Sequence, residues 1–273
     1  MKVQRQSIRM RAIIAITLIT AGYLAAFALN ISPYLRGPQS WRWAFAIPGF
    51  PVRHIVPILV VVIYCLVIGY WLQRTLNPPY HKASITTLIL CAILGTPLIQ
   101  AALLFPESPD IVKPLFYRTI SPGASGVFSV GSTITNVTEF LRHYPALMPT
   151  FPVHPQRYPP GLAVTFYAVR RLFEAMPVWG ITLGFALRPY QCNDLSLMQL
   201  SNATLASAII QMLLPIISGL VILPIYDLSK RALDLKSALW AAALYPIIPS
   251  FALWSARWDQ FYPLLVCASW ASF

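Results

Sequence analysis

Charged side chains are scarce in this sequence. Asp, Glu, Lys and Arg together make up 10% of the 273 residues, whereas 57% of the residues are hydrophobic. A soluble domain usually carries about a quarter charged residues, so the soluble globular class is excluded. The mean hydropathy of +0.64 instead favours a chain embedded in lipid.

Acidic residues and metal-binding motifs are the scarcest features. There are 8 acidic residues against 20 basic ones, which gives a net charge of +12. The basic residues are spread between apolar segments, whereas a nucleic-acid-binding domain collects them on one face; we therefore expect no nucleic-acid partner. The 4 cysteines form no CxxC or Cys/His spacing. This excludes a zinc site and a disulfide framework, and we predict no metal site from motifs.

Long apolar runs are abundant. A helix needs about 20 such residues to cross a bilayer. The sequence therefore predicts an all-α polytopic membrane protein with a single membrane domain over 1–273, about five full transmembrane helices and a partial sixth. The full spans are predicted at about 12–30, 55–72, 84–104, 203–226 and 237–254, and the partial one at 261–273. Since a helix that stops within hydrocarbon leaves carbonyls unpaired, we expect an N-terminal or truncated portion of a longer protein.

The distribution of Lys and Arg predicts the orientation. The basic start of the chain and the basic turn near Lys230 both lie on the cytoplasmic side if residues 105–202 make no net crossing. We therefore predict an integral protein of the bacterial plasma membrane with a cytoplasmic N-terminus and a large extracytoplasmic loop at 105–202. Within this loop, a single span over 161–187 would bury Arg170, Arg171 and Glu174. Two short surface helices avoid that cost and are predicted instead.

The most distinctive run of the loop extends from His143 to Tyr167 and contains six prolines. Such a density of proline predicts an extended, stiff segment. Pro160 pre-sets the backbone for a helix that begins at Gly161, and the free N–H groups of its first turn form a weak anion site. A plain proline-rich approach to a helix is the alternative interpretation.

The first outer loop, residues 31–54, is also basic and aromatic. Trp41, Trp43 and Arg42 suit the headgroup layer, where they would form an interfacial belt. The alternative is that Arg36, Arg42 or Arg53 binds a phosphate of a lipid-linked substrate, because a guanidinium can bind phosphate oxygens in a bidentate manner.

A family resemblance rests on three elements of residues 106–167. They are His154 followed by Pro159-Pro160-Gly161; Arg118 with Ser121 and Pro122; and Phe140, Leu141, Tyr144 and Pro145. An extracytoplasmic loop of this kind resembles the GT-C class of membrane glycosyltransferases, especially the bacterial RgtA/B/C/D-like group. It is distantly similar to the dolichyl-phosphate-mannose and aminosugar transferases.

This resemblance implies transfer of a sugar from a polyprenyl-phosphate donor to a glycan, lipid or protein acceptor on the extracytoplasmic face. It implies a donor phosphate held by basic residues and an acceptor deprotonated by a carboxylate, with membrane lipid as a further partner. The substrate-binding residues expected from the matching positions and the basic loops are Arg36, Arg42, Arg118, Arg157, Tyr158, Pro160 and Gly161.

The position of the catalytic carboxylate departs from the family pattern. The family usually has an acid in the first outer loop, but residues 31–54 contain none. Glu107 and Asp110, at the membrane edge after the third predicted span, are the candidate catalytic acids, with His154 as a further candidate. The two acids could also hold a divalent cation, which is the one possible cofactor. Alternatively, they could be plain solvated residues. Asp259 is interpreted as an interfacial contact of Arg257.

Two other functions remain open from the sequence. A transporter or flippase would keep polar groups within its spans, and the candidates for such groups here are only Gln100 and Gln211. A non-catalytic or truncated membrane protein is favoured by the missing acid of the first loop.

Overall fold

The computed structural model describes residues 2–42, 45, 52–77, 81–193, 195–250 and 254–273. It is 80% helical, and the described residues form no β-strand. The predicted all-α class is confirmed. Contacts along the backbone divide the chain into two compact units, Met1–Pro51 and Val52–Phe273.

Three helical stretches are long and apolar enough to cross a membrane, namely Val52–Leu76, Lys82–Leu104 and Asn202–Ala232. They contain the spans predicted at 55–72, 84–104 and 203–226. They indicate a membrane protein, whereas the predicted total of five spans and a partial sixth stays a prediction.

The other predicted spans have shorter helices. Helix α1, Lys2–Ala28, has an apolar part at Ile14–Ala28. The helix in the predicted span 237–254 ends at Leu244, and a 3-10 turn, Tyr245–Ile247, follows it. Pro246 explains this end, because proline has no N–H to continue the helical ladder.

The helices of the second unit follow one another along the chain, some joined by one or two residues and others by longer connections that contain 3-10 turns. They are α2 (Ile55–Leu76), α3 (Lys82–Leu104), α4 (Val112–Ile120), α5 (Val127–Thr133), α6 (Val137–Leu147), α7 (Gly161–Ala175), α8 (Pro177–Leu187), α9 (Asn202–Ser207), α10 (Ile209–Met212), α11 (Leu214–Gly219), α12 (Ile222–Ala232), α13 (Leu235–Leu244) and α14 (Tyr262–Ala271). Helices α9 to α12 together form the third long stretch, which tight turns divide into four segments.

The membrane-type helices share one hydrophobic cluster. It is built on Leu88, Ala92, Val221, Ile222 and Leu239, all of them fully buried. Helices α3 and α11 approach each other closely at a small residue. A Cβ added to Gly219 would lie only 2.5 Å from the Ile93 carbonyl oxygen. Small residues of this kind allow helices to pack at short distance in a membrane.

A second cluster lies in the region predicted as the extracytoplasmic loop. Phe116, Phe128 and Phe166 form its aromatic centre, and Trp258 from the far end of the chain joins them. The region is therefore a folded layer of helices α4 to α8 with its own core. Two short helices are present over 161–187, as predicted, and they are α7 and α8. Their position at the membrane surface stays a prediction.

The prediction of an extended, stiff segment over 143–167 is wrong for most of its length. Helix α6 continues through Pro145 to Leu147, and 3-10 turns follow at Met148–Thr150 and Pro155–Arg157. The reason is that the φ angle fixed by proline, about −65°, suits helical turns as well as polyproline II. The prediction that a helix begins at Gly161 is confirmed.

Candidate functional site

A cavity of about 550 Å³ lies between two segments that are distant in the sequence. One segment is the end of the proline-dense run, and the other follows the fifth predicted span. The residues that line the cavity are His154, Tyr158, Ser250, Trp254, Arg257, Asp259 and Gln260. It thus combines an imidazole, a phenol, a guanidinium, a carboxylate and an amide.

A short turn presents the charged groups of this cavity. In the 3-10 turn Trp258–Gln260, the side chains of Trp258 and Gln260 are buried and that of Asp259 is exposed. The Trp258 ring packs edge-to-face on Phe166, with 5.9 Å between ring centroids. Asp259 is exposed and lines the cavity together with the buried amide of Gln260.

Tyr158 and Asp259 interact across the cavity. Burial raises the pKa of Tyr158, and Asp259 raises it further through its charge and as a hydrogen-bond partner, whereas Arg257 opposes these effects. The phenol therefore stays protonated at neutral pH, and its hydroxyl can donate a hydrogen bond to the carboxylate.

Arg257 is half-buried beside a second arginine. Burial lowers the pKa of Arg257, and the charge of Arg118 lowers it further, whereas Asp259 and Tyr158 raise it. Arg118 is in turn ion-paired with Glu107. Arg257 therefore has charged neighbours of both signs, namely Arg118, which is paired with Glu107, and Asp259. Two neighbouring positive charges that partly lack solvent favour the binding of an anion.

Glu107 and Asp110, the acids expected to be catalytic, both have local partners. The Glu107 carboxylate pairs with Arg118. Asp110 accepts a hydrogen bond of 2.6 Å from the Tyr190 hydroxyl and one of 3.1 Å from the Val112 backbone N–H. These bonds join the loop after α3 to α4 and to the turn after α8. Neither acid is among the residues that line the cavity.

The remaining candidates of the second unit lie at the approach to α7. Arg157 is exposed at the end of its 3-10 turn, and Pro160 is the N-cap of α7. A Cβ added to Gly161 would meet no atom within 4 Å. The described cavity lining contains His154 and Tyr158 from this run, but not Arg157, Pro160 or Gly161.

Arg36 and Arg42 belong to the first unit. The Arg36 guanidinium donates to the Asn30 side chain at 2.9 Å and lies over the Phe45 ring. Arg42 lies over the Tyr34 ring, 5.5 Å from its centroid. These contacts with aromatic rings are typical of interfacial arginines, which was one of the two interpretations of this loop.

Metal ligands are not clustered in the described part of the chain. Within it, no group of three or more His, Cys, Asp or Glu side chains is placed to hold a metal ion. The divalent cation expected at Glu107 and Asp110 therefore stays a prediction, because the described residues contain no cluster of ligands that would hold it.

Asp259 and Arg257 are the site residues that the sequence interpretation did not select. Their only sequence signal is that an acid and a base flank a tryptophan just after an apolar run, as interfacial residues commonly do. The tertiary contact of Trp258 with Phe166 is what brings them to His154 and Tyr158.

Comparison with known proteins yields no relative. No protein-family model matches the sequence, no curated protein matches it, and no solved structure matches the fold. The function has to be argued from the cavity itself.

Proposed function

We propose that this protein is a membrane glycosyltransferase that moves a sugar from a polyprenyl-phosphate donor to an acceptor hydroxyl on the extracytoplasmic face. The observation that carries the proposal is the cavity in which the exposed carboxylate of Asp259 lies beside the half-buried guanidinium of Arg257. A base and an anion-binding group side by side are what transfer from a phosphate-linked donor requires.

Asp259 is proposed as the general base. It takes the proton of the acceptor hydroxyl while the acceptor oxygen forms a bond to the anomeric carbon of the sugar. The bond from that carbon to the donor phosphate oxygen breaks, and its electron pair leaves with the polyprenyl phosphate. An exposed carboxylate on a fixed turn suits this role, because the acceptor has to reach it from solvent or lipid.

Arg257 and Arg118 are proposed to hold the phosphate. An arginine keeps its charge when it is partly buried, and its planar fork matches phosphate oxygens. The repulsion between the two guanidinium groups is relieved when an anion binds between them. The negative charge that develops on the leaving phosphate is stabilised by the same contact.

His154 and Tyr158 are proposed to orient the substrates. The protonated phenol of Tyr158 fixes the Asp259 carboxylate, and the His154 imidazole supplies a further polar contact to the sugar. Trp254, 53% exposed at the cavity, offers an apolar face on which a sugar ring can stack.

The test is turnover of purified protein in nanodiscs with polyprenyl-phosphate-linked hexoses and pentoses as donors and a glycan, a lipid or a hydroxyl-bearing peptide as acceptor, measured as released polyprenyl phosphate. Asp259→Asn is expected to lower kcat by about a hundredfold or more, as loss of a general base does. Asp227→Asn is the matched control, since Asp227 forms an exposed ion pair with Arg231 outside the cavity. Glu107→Gln and Asp110→Asn compare the two acids favoured by the sequence with Asp259.

Two results would overturn the proposal at different levels. Normal turnover by Asp259→Asn, with loss of turnover in Glu107→Gln or Asp110→Asn, would move the base to the membrane edge. Absence of turnover by the unmodified protein with every donor would reject the transferase function. Movement of the lipid-linked sugar across the bilayer without transfer would then favour the flippase alternative.

A further inference from the structure

Three glutamine side chains are buried almost completely near the cavity. Gln100 is 1% exposed, Gln211 is 0% exposed and Gln260 is 1% exposed. Burying an amide is costly unless it is hydrogen-bonded, so the partners of these groups indicate what they are for.

Gln260 and Gln100 form a directed chain of hydrogen bonds from the cavity into the membrane-type helices. The Gln260 side-chain nitrogen donates to the Gln100 side-chain oxygen at 2.9 Å, and the Gln100 nitrogen donates to the Ser218 hydroxyl at 3.1 Å. Ser218 donates in turn to the Pro215 carbonyl at 2.8 Å. Helices α3 and α11 thereby hold the residue that follows Asp259.

Gln211 holds the other end of the same turn. Its side-chain nitrogen donates to the Ala256 carbonyl at 2.8 Å and lies 3.5 Å from the Arg118 carbonyl. Ala256 has a φ of 59°, which places it in the left-handed region that a residue with a Cβ rarely adopts. The bond from Gln211 stabilises this conformation, and the same amide joins the backbones that carry the two arginines.

We infer that Gln100 and Gln211 are positioning residues that fix the turn carrying Arg257 and Asp259, an assignment that rests on the proposed function. Ala256 and Gln260 flank the two charged residues, and each is bonded to a buried glutamine from a different helix. A side-chain amide is suited to this task, since it donates and accepts without adding a charge to the cavity. Neither glutamine lines the cavity, so both act through the backbone of the turn.

The experiment replaces each glutamine by methionine, which has a similar shape but no hydrogen bonds. Amide hydrogen exchange of the full-length protein is measured for the peptide 254–261 and, as an internal reference, for α6. In Gln100→Met and Gln211→Met, exchange in 254–261 is expected to rise about tenfold while exchange in α6 stays constant. Gln199→Met, at an exposed glutamine, is the matched control and is expected to change neither peptide.

Kinetics separate positioning from general stability. We expect kcat to fall about ten- to a hundredfold in both methionine variants, because small displacements of catalytic groups cost that much. The KM for the donor is expected to change less, by under about threefold. Gln100→Glu keeps an oxygen acceptor for Gln260 and is expected to recover part of the protection and of the rate. If Gln100→Met does not fold, Ser218→Ala breaks the same chain at its far end.

The contradicting results are distinct from failure of the proposed function. Unchanged exchange in 254–261, or an equal rise in every peptide, would overturn the inference that these glutamines hold the turn. Faster exchange with unaltered kcat would overturn the positioning role. If the unmodified protein turns over no donor, the transferase proposal fails, whereas the exchange measurement still decides whether the two glutamines hold the turn.

Discussion

Asp110 and Asp259 show how differently two exposed carboxylates of one protein can be used. Both oxygens of Asp110 accept hydrogen bonds, one from Tyr190 and one from the Val112 backbone. Asp259 faces a cavity together with Tyr158 and Arg257. Each carboxylate oxygen can accept more than one hydrogen bond, so the two acids differ mainly in position, since Asp110 is bonded to neighbouring structure whereas Asp259 lines the cavity.

The difference arises from the buried residues on either side of each acid. Trp258 and Gln260 anchor the chain around Asp259, so its own side chain does not have to stabilise the turn. The loop that carries Asp110 has no comparable aromatic anchor immediately beside it, and the acid itself ties the loop to Tyr190. In this protein, the carboxylate at the cavity is therefore the one whose neighbouring side chains, and not the carboxylate itself, stabilise the segment that carries it.

The largest expected effect comes from comparing an arginine that lines the cavity with one that does not. Arg257→Gln is expected to lower kcat/KM for a polyprenyl-phosphate sugar by about ten- to a hundredfold, the loss of one charge-assisted contact to phosphate. Arg157→Gln, at an exposed arginine of the proline-dense run, is expected to change it by less than about threefold. The measurement is initial-rate release of polyprenyl phosphate. A loss confined to Arg157→Gln would show that the run, and not the turn, holds the phosphate.

The Asp110–Tyr190 bond provides a test of intermediate size through stability. Tyr190→Phe removes a hydrogen bond to a charged acceptor and is expected to lower the free energy of unfolding by about 1–2 kcal/mol at pH 8. The hydrogen bond to Asp110, with smaller effects of burial and of the Asp110 charge, raises the pKa of Tyr190 to about 12. The ordinary value of 10.0 applies to the unfolded chain.

The sign of the pH effect follows from this shift. A raised pKa means that the folded protein keeps the proton, so the contribution is complete below pH 10 and is lost as the pH rises to about 12. The stability difference between the unmodified protein and Tyr190→Phe is therefore expected to narrow over that interval, as followed by thermal unfolding in detergent. Tyr23→Phe, at an exposed tyrosine, serves as the control. A difference that stays constant from pH 8 to pH 11 would contradict the prediction.

Gly161 provides the smallest test. Gly161→Ala places its Cβ in open space, so it is expected to change the free energy of unfolding by under about 1 kcal/mol, in the stabilising direction. Gly131→Ala is the matched comparison, because its Cβ would lie 2.6 Å from the Phe166 Cβ and 2.7 Å from the Ala163 carbonyl oxygen. It is expected to destabilise by about 1–3 kcal/mol. A loss of turnover in a stable Gly161→Ala protein would show that this glycine contacts the donor.

Much of the helical framework follows from local sequence patterns. The spans at 55–72 and 84–104 were predicted because nearly every residue in them is apolar, a property that needs no knowledge of the partner helices. The start of α7 at Gly161 was predicted for a similarly local reason, the backbone chemistry of proline. The residues between Pro145 and Arg157 were predicted wrongly, because a fixed φ allows two conformations and packing chooses between them.

The candidate site depends on contacts that no local pattern contains. His154 and Tyr158 could be selected from the sequence, since they lie in the proline-dense run that carries the family resemblance. Arg257 and Asp259 were interpreted as an interfacial pair, because they flank Trp258 at the end of the fifth predicted span, and Arg257 lies 90 positions after Tyr167, the last residue of that run. Only the packing of Trp258 against Phe166 and the buried bonds of Gln211 and Gln260 place the two segments on one cavity.

The sequence by itself determined that this protein is helical and built for lipid, because hydrophobicity and proline act residue by residue. It also limited the possible bases to a handful, since the chain has only 8 acidic residues. Which of these acids faces a cavity was decided by the tertiary structure. The reason is that a carboxylate is made available or unavailable by the groups that surround it, and those groups come from helices far apart in the chain.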